Sequence, residues 1–397
     1  MKAITLVVLV ACGATELPPR DPQLQASDSA AAVAALQGSK FADAERESAA
    51  VLGRDPRNSR AAAVHAIASY QRAAFDMWAE LQVIMARAER LEFFDHKAGR
   101  VSWQRWLDQL AAIDRDLAVV AADPAFSLEL CMACWEHDWN RSGQVDDRDR
   151  KLFELEYDGK GGELVAGDPR RRPTFRLDHG DADWARAMIA FQRAIGELVL
   201  AYRWSELDKL FDHGLRTGMT IRLGDPGRVK RAHELVVAGL GFADRCREAY
   251  LAETDDDREW VPNPKQRSYA MPLEVDAELY TTWAEVTRDV RRMLASEEGI
   301  SLLELAGAID HDLVAMVPSG YIDLGRMLRE PKDIVIPPLV GEDRKSAERL
   351  LRGVLGNGYA TKMKATPLVA RLRLMKTELE RGEDTFQRKL RYLVWLN

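Results

Sequence analysis

Apolar residues recur along this chain at helical spacing. Trp103, Trp106, Leu110, Ile113, Leu117 and Val120 step by three or four positions. Trp184, Met188, Ile195, Leu198 and Tyr202 form a second stripe, and Leu279, Trp283, Val286, Val290 and Met293 a third. Such one-sided stripes predict amphipathic helices that pack on one another rather than on a sheet. A last helix is predicted from Thr366 as N-cap and Pro367 at the first helical position, through Leu368, Leu372, Met375 and Leu379, continuing past Gly382 to Phe386, Leu390 and Leu393. Residues 30–75 are Ala-rich and read as helices with small interfaces. Only Asp333-Ile334-Val335-Ile336 reads as a strand, cut short by Pro337-Pro338. The predicted fold class is all-α, with breaks at 157–183, 212–228, 253–272 and 331–345.

Composition narrows this further. At 397 residues the chain exceeds what one compact core usually holds, so more than one domain is expected. Apolar residues at 47% and charged residues at 30% exclude a disordered or fibrous chain. A net charge of −7 argues against nucleic acid as a partner. Four cysteines are too few for a disulfide scaffold, and no apolar run approaches the roughly 20 residues that span a bilayer.

The first residues suggest an address. Met1-Lys2 precedes the apolar stretch Ala3 to Ala11, followed by Cys12, which is the layout of a secretory signal. Leu9-Val10-Ala11-Cys12 resembles the lipobox of bacterial lipoproteins. That resemblance implies a signal peptide over 1–11, lipidation of Cys12, and an extracytoplasmic chain anchored to a membrane by acyl chains, in the periplasm or at the outer membrane. Gly13 after the cysteine leans towards the outer membrane. The polar, Pro-containing stretch that follows predicts a tether over 12–29.

Beyond the tether, Phe41-Ala42-Asp43-Ala44-Glu45 leads into Val51-Leu52-Gly53-Arg54-Asp55-Pro56-Arg57-Asn58-Ser59-Arg60-Ala61. Ala44 allows close helix approach, and Pro56, twelve positions on, ends one helix before the next begins. This pattern resembles the second helix and turn of a tetratricopeptide repeat, although the Trp and Gly-Tyr of a first repeat helix are missing. We expect a repeat-like helical module over 30–95 and a larger α-helical domain over 96–397.

One segment carries chemistry. In Asp138-Trp139-Asn140-Arg141-Ser142-Gly143-Gln144-Val145-Asp146-Asp147-Arg148-Asp149, oxygen side chains at Asp138, Asn140 and Ser142 alternate, and Gly143 permits a sharp turn. The Gln144 carbonyl, Asp146 (through a water) and Asp149 would complete an oxygen shell. This loop, 138–149, resembles the calcium loop of EF-hands, most closely the dockerin type that ends in Asp. The resemblance implies a structural calcium ion, with Leu128 to Trp135 as entering helix and Lys151 to Leu155 as exiting helix. Ser142 and the short Asp149 suit weak, extracellular-type affinity. A second loop, Asp178-His179-Gly180-Asp181-Ala182-Asp183, lacks the ligand spacing, and Asp181 there is expected to cap a helix beginning near Trp184.

Other candidates are weaker. Cys131 and Cys134 have redox or metal spacing and could form a local disulfide, but their apolar setting favours packed thiols, which leaves Cys246 unpaired. Asp310-His311-Asp312 reads as a solvated helix turn, and Asp255-Asp256-Asp257 and Arg170-Arg171-Arg172 as solvated charge runs. His233-Glu234 lacks the second histidine of a zincin helix, since Val237 stands at i+4. There is no P-loop, nucleophile elbow or dinucleotide fingerprint. Phe175-Arg176-Leu177-Asp178, followed by Asp183-Trp184-Ala185-Arg186-Ala187, resembles a block of large secreted bacterial proteins and implies no activity.

The expected function is a lipid-anchored, calcium-binding helical scaffold or interaction module at the cell envelope, gripping a protein or peptide partner, with no catalytic residues assigned. The alternative is an extracytoplasmic hydrolase whose acidic site is assembled by the fold. A dockerin-like adhesion module is a third reading, weakened by the single loop. The first two differ in a visible way. A scaffold should offer a groove without convergent carboxylates, whereas an enzyme should bring acids with separated pKa values to a pocket.

Overall fold

The computed structural model describes residues 21–91, 95–139, 141–158, 162–206, 218–256, 258–267, 276–309, 312–338 and 344–379. The expectations for Cys12, Asn140, His311 and the helix beyond Leu379 lie outside these residues. The fold is mainly α-helical, 65% by residue, with small antiparallel sheets. Among the described residues no helix is long and apolar enough to cross a membrane.

The first three helices are α1 (Pro22–Gln37), α2 (Phe41–Arg54) and α3 (Ser59–Leu91). Part of the stretch expected as a tether is helical. Asp21 accepts from the Gln23 amide and Pro22 opens the helix, so residues 22–29 are helical, with Gln25 and Ser29 buried. Gln25 Oε1 accepts from both the amide and the hydroxyl of Ser59 at the start of α3, so a polar side chain ties α1 to α3. Ala44 is fully buried, as close packing demands. The helix after Pro56 runs 33 residues, about the length of a whole repeat.

Two more helices complete the centre: α4 (His96–Ala121), capped by Asp95, and, beyond the four-residue α5 (Asp147–Arg150), α6 (His179–Ala201). The stripe Trp106, Leu110, Ile113, Leu117 and Val120 faces the core as its spacing predicts. The helix α7 (Pro226–Ala252) packs along α6 over most of its length. The approach is close. A Cβ on Gly239 would lie 2.6 Å from the Phe191 ring, and one on Gly196 would lie 2.6 Å from Leu107. Helix α8 (Ala277–Leu294) follows; of its predicted stripe Met293 is buried, and Tyr280, outside the stripe, is buried too. The remaining body holds α9 (Leu302–Ile309), α10 (Leu313–Met316), α11 (Leu324–Arg329), α12 (Arg344–Leu355) and α13 (Leu368–Leu379).

Short strands clamp the loops. β1 (Leu128–Leu130) pairs with β2 (Phe175–Leu177), placing Glu129 opposite Arg176. β3 (Met219–Ile221) pairs with β6 (Ile334–Ile336), the strand that the sequence predicts. β4 (Ile300–Ser301), β5 (Tyr321–Ile322) and β7 (Tyr359–Ala360) form a third sheet. One core cluster joins Leu36, Phe41 and Val64 of the N-terminal helices to Leu130, Trp135, Tyr250 and Tyr280, so it spans both sides of residue 95.

Three local expectations are corrected. Residues 128–135 form β1 and a single 3₁₀ turn (Met132–Cys134), not an entering helix, because Leu128 and Leu130 alternate inward with period two. Helix α5 ends at Arg150, and Phe153 and Leu155 are buried outside any helix, so Lys151 to Leu155 is no exiting helix. Cys131 and Cys134 form a disulfide with Cα atoms 5.3 Å apart, rather than packed thiols, since the 3₁₀ turn brings them within bonding reach. Cys246 is a buried free thiol, as expected.

Candidate functional site

The predicted calcium loop folds around its first and last acids. Asp138 Oδ1 accepts from the Ser142 amide at 2.9 Å and Oδ2 from the Gly143 amide at 2.7 Å. Gly143 sits at φ +93°, a conformation that a side chain would strain. The Ser142 hydroxyl donates to the Gln144 carbonyl at 2.8 Å, and Asp146 caps α5. Asp149 is buried and accepts from the amides of Trp139 and Asp146, both at 2.9 Å, so it ties the entry of the loop to its exit. The loop is anchored by rings: Trp139 lies 5.5 Å from both Phe41 and Phe153, and Trp135 5.1 Å from Phe41. Burial lowers the His137 pKa within this cluster.

A second acidic group forms where the sequence shows only a failed loop and a break. β2 runs directly into α6 through Asp178. Its Oδ1 accepts from the amides of Gly180 and Asp181, while Asp181 Oδ2 accepts from the Asp178 amide at 2.9 Å. Helix α6 thus starts at His179, five residues before Trp184, and its cap is Asp178, with Asp181 in the first turn. The end of α7 lies beside this turn. There the Tyr250 hydroxyl donates to Asp181 Oδ1, and Glu253 is the C-terminal cap.

The segment after α7 is pinned by polar side chains. Asn263 Nδ2 donates to the carbonyls of Tyr250 and Glu253, and Gln266 Nε2 to Glu253 Oε2 and the Asp255 carbonyl. Arg176 bridges Asp255 at 2.8 Å and Glu259 at 3.2 Å, so Asp255 belongs to an ion pair rather than a freely solvated run. Arg171 and Arg172 are likewise engaged, both on Glu154 at 2.9 Å.

Among the described residues, one group of His, Cys, Asp or Glu side chains converges as metal ligands would. One oxygen each of Asp178, Glu253 and Glu259 lies within 4.8 Å of the others. Burial and the neighbouring Asp178 carboxylate push Glu253 up to about 10. Burial pushes Glu259 up to about 7 against the opposing pull of Arg176. Burial, then Asp178, also raises Asp181. The group therefore keeps protons at neutral pH unless a cation displaces them. Its all-oxygen donor set fits a hard divalent cation such as calcium or magnesium, with water completing the shell.

Asp178 and Asp181 also line a partly open pocket of about 110 Å³. Its walls include Ala66, Ile113, Phe126, Ile189 and Trp260 from the α3–α4–α6 junction and the segment beyond α7. Trp260 is buried, and its indole N–H has no acceptor among the described residues.

Sequence reasoning missed Glu253 and Glu259 because they fall in an irregular segment with no ligand spacing. The signal nearest to them was the Phe175–Asp178 block, which supplies both Arg176 and Asp178. Compared with known proteins, the chain matches no family model, no curated protein and no solved structure.

Proposed function

We propose that this chain is an extracytoplasmic hydrolase with an acidic centre assembled by the fold, Asp178, Glu253 and Glu259. One observation carries this reading: two carboxyls of a single cluster have their pKa values set apart, at about 10 for Glu253 and about 7 for Glu259. Pairs driven apart by their surroundings are what acid–base catalysis needs. Glu253 enters neutral solution protonated and gives a proton to a leaving group. Glu259, poised near neutrality, takes one from the attacking water. A divalent cation on the same carboxylates would displace those protons and supply Lewis-acid chemistry in place of proton donation by Glu253. The calcium ion proposed at 138–149 is structural.

The address belongs to the proposal too. Lipidation at Cys12 would hold the chain at a membrane outside the cytoplasm, and the Cys131–Cys134 disulfide supports an oxidising compartment.

The test is hydrolysis of short p-nitrophenyl esters, phosphates and glycosides by the full-length protein, with and without calcium or magnesium. The expected result is turnover of one class with a bell-shaped pH profile whose limbs lie near 7 and 10, abolished in Glu253→Gln and Glu259→Gln. No turnover of any class, with or without cation, sinks the reading.

The scaffold reading keeps one specific support, a groove of about 460 Å³ lined by Phe41, Phe75, His137 and Trp139 between the N-terminal helices and the 138–149 loop. It predicts capture of a peptide partner that chelation of calcium releases.

A further inference from the structure

An open pocket of about 760 Å³ lies between the first turns of α4, the end of α6 and the start of α7. Its charge is the reverse of the chain's. Lys97, Arg100, Arg203 and Arg228 line it against one carboxylate, Asp225, in a protein of net charge −7. Arg228 is balanced, since it donates to Glu197 at 3.0 Å and lies 3.7 Å from Asp225. The other three are not. Among the described residues, Lys97, Arg100 and Arg203 have no carboxylate partner.

Arg100 is held in place without being neutralised. It donates to the carbonyls of Leu200 and Tyr202 at 2.9 and 2.7 Å, which uses two of its N–H groups and leaves the others for a ligand. Burial lowers its pKa, and the neighbouring Arg228 charge lowers it further, so two guanidiniums repel at this wall. The facing loop is fixed as well, because the amides of Gly224 and Asp225 both donate to the Ala201 carbonyl. Beside the cations stands Val101, 52% exposed, and Trp204, whose ring lies 5.7 Å from the Arg100 guanidinium.

We propose that this pocket binds a small organic phosphate, its phosphoryl oxygens accepting from Lys97, Arg100 and Arg203 and its carbon body lying against Val101 and Trp204. Three uncompensated cations call for more than one negative charge in a compact group. A phosphate monoester carries about −1.5 to −2 and three acceptor oxygens near neutral pH, and guanidinium forks match that geometry. A monocarboxylate brings a single charge and leaves cations unmatched. The volume is in the range of pockets that enclose small organic ligands. None of Asp178, Glu253 and Glu259 lines the pocket, so the assignment does not depend on the acidic centre.

The test is calorimetric titration of the full-length protein, in chelator, with phenylphosphonate, whose P–C bond no phosphatase hydrolyses. Benzoate, inorganic phosphate and benzyltrimethylammonium are titrated alongside. Phenylphosphonate is expected to bind about tenfold or more tightly than benzoate or inorganic phosphate, and to weaken as salt rises. Lys97→Gln and Arg203→Gln should each weaken it about tenfold, the loss of one charge-assisted hydrogen bond. Both variants should melt as the natural protein does, because neither side chain gives up an ion pair. Glu253→Gln should bind as the natural protein does.

The proposal is overturned if phenylphosphonate does not bind, or if benzoate or inorganic phosphate binds as tightly. Displacement of the phosphonate by benzyltrimethylammonium would overturn it too. Undiminished binding in Lys97→Gln with Arg203→Gln, or binding lost in Glu253→Gln, would put the anion elsewhere and sink it equally.

Discussion

The Tyr250 hydroxyl donates to Asp181 Oδ1 at 2.6 Å, between two side chains that are both taken almost entirely out of water. Burial raises the pKa of each partner, and the hydrogen bond opposes the rise at Asp181. Because the pair joins the first turn of α6 to the last turn of α7, it also fixes how close Glu253 comes to Asp178. Tyr250→Phe removes the donor and leaves a buried carboxyl oxygen unsatisfied. The expected loss is about 1–3 kcal/mol in denaturant unfolding, together with a further rise of the Asp181 pKa followed by carbon NMR.

The acid cluster sets the sign of the pH dependence. Glu259 and Glu253 both titrate higher in the folded chain than their ordinary 4.5, so the folded state holds extra protons between that value and about 7 and about 10 respectively. Stability from these groups is complete below 4.5 and is lost as pH rises through the two folded values. Melting temperature should therefore fall as pH rises from about 4.5 towards about 10 in the absence of divalent cation. Glu259→Gln should flatten the part of this decline near neutrality, and Glu253→Gln the part at higher pH. A decline of unchanged slope in both variants would place its origin elsewhere.

The Cys131–Cys134 bond closes a very short ring around the 3₁₀ turn that carries Met132 and Ala133 into the main core. Chain-entropy reasoning gives such a ring about 2 kcal/mol, less than a long loop would give. Cys131→Ser with Cys134→Ser should cost that much in thermal melts, and reduction of the natural protein should reproduce the shift. Equal melts before and after reduction would show that the turn is held by packing alone.

How much of this was legible depends on whether a signal is periodic. Helix α4 could be read from its stripe Trp106-Leu110-Ile113, because burial on a helix repeats every three or four residues. Helices α6 and α8 were read as helices without their buried faces: Ile195 of the α6 stripe is exposed while Ile189 and Ala194 are buried, and α8 buries Tyr280 rather than Leu279. The strand at Ile334–Ile336 was legible because prolines bound it. Residues 22–29 were not, because α1 is weakly amphipathic and its buried Gln25 and Ser29 are polar groups satisfied only by tertiary partners. The 138–149 pattern could be read as a candidate loop because its oxygen-bearing side chains lie close together in sequence. Asp178, Glu253 and Glu259 do not, since their convergence needs α6 and α7 packed side by side and the later segment pinned by Asn263, Gln266 and Arg176.

Two places are proposed for a hard cation, and one experiment separates them. Calcium that binds only the folded chain raises stability by about 2.7 kcal/mol at a hundred times its dissociation constant, which a thermal melt reads directly. At 138–149 both oxygens of Asp138 already accept backbone amides, so Asp138→Ala removes a loop contact as well as a ligand. Asp138→Asn keeps one acceptor and removes the charge, which makes it the cleaner variant. If the ion sits in this loop, Asp138→Asn should abolish the calcium-induced rise in melting temperature and Glu259→Gln should leave it intact. If the ion sits on Asp178, Glu253 and Glu259, the pattern inverts. The rise should then weaken as pH falls below about 7, because protons on Glu259 compete for the same oxygen.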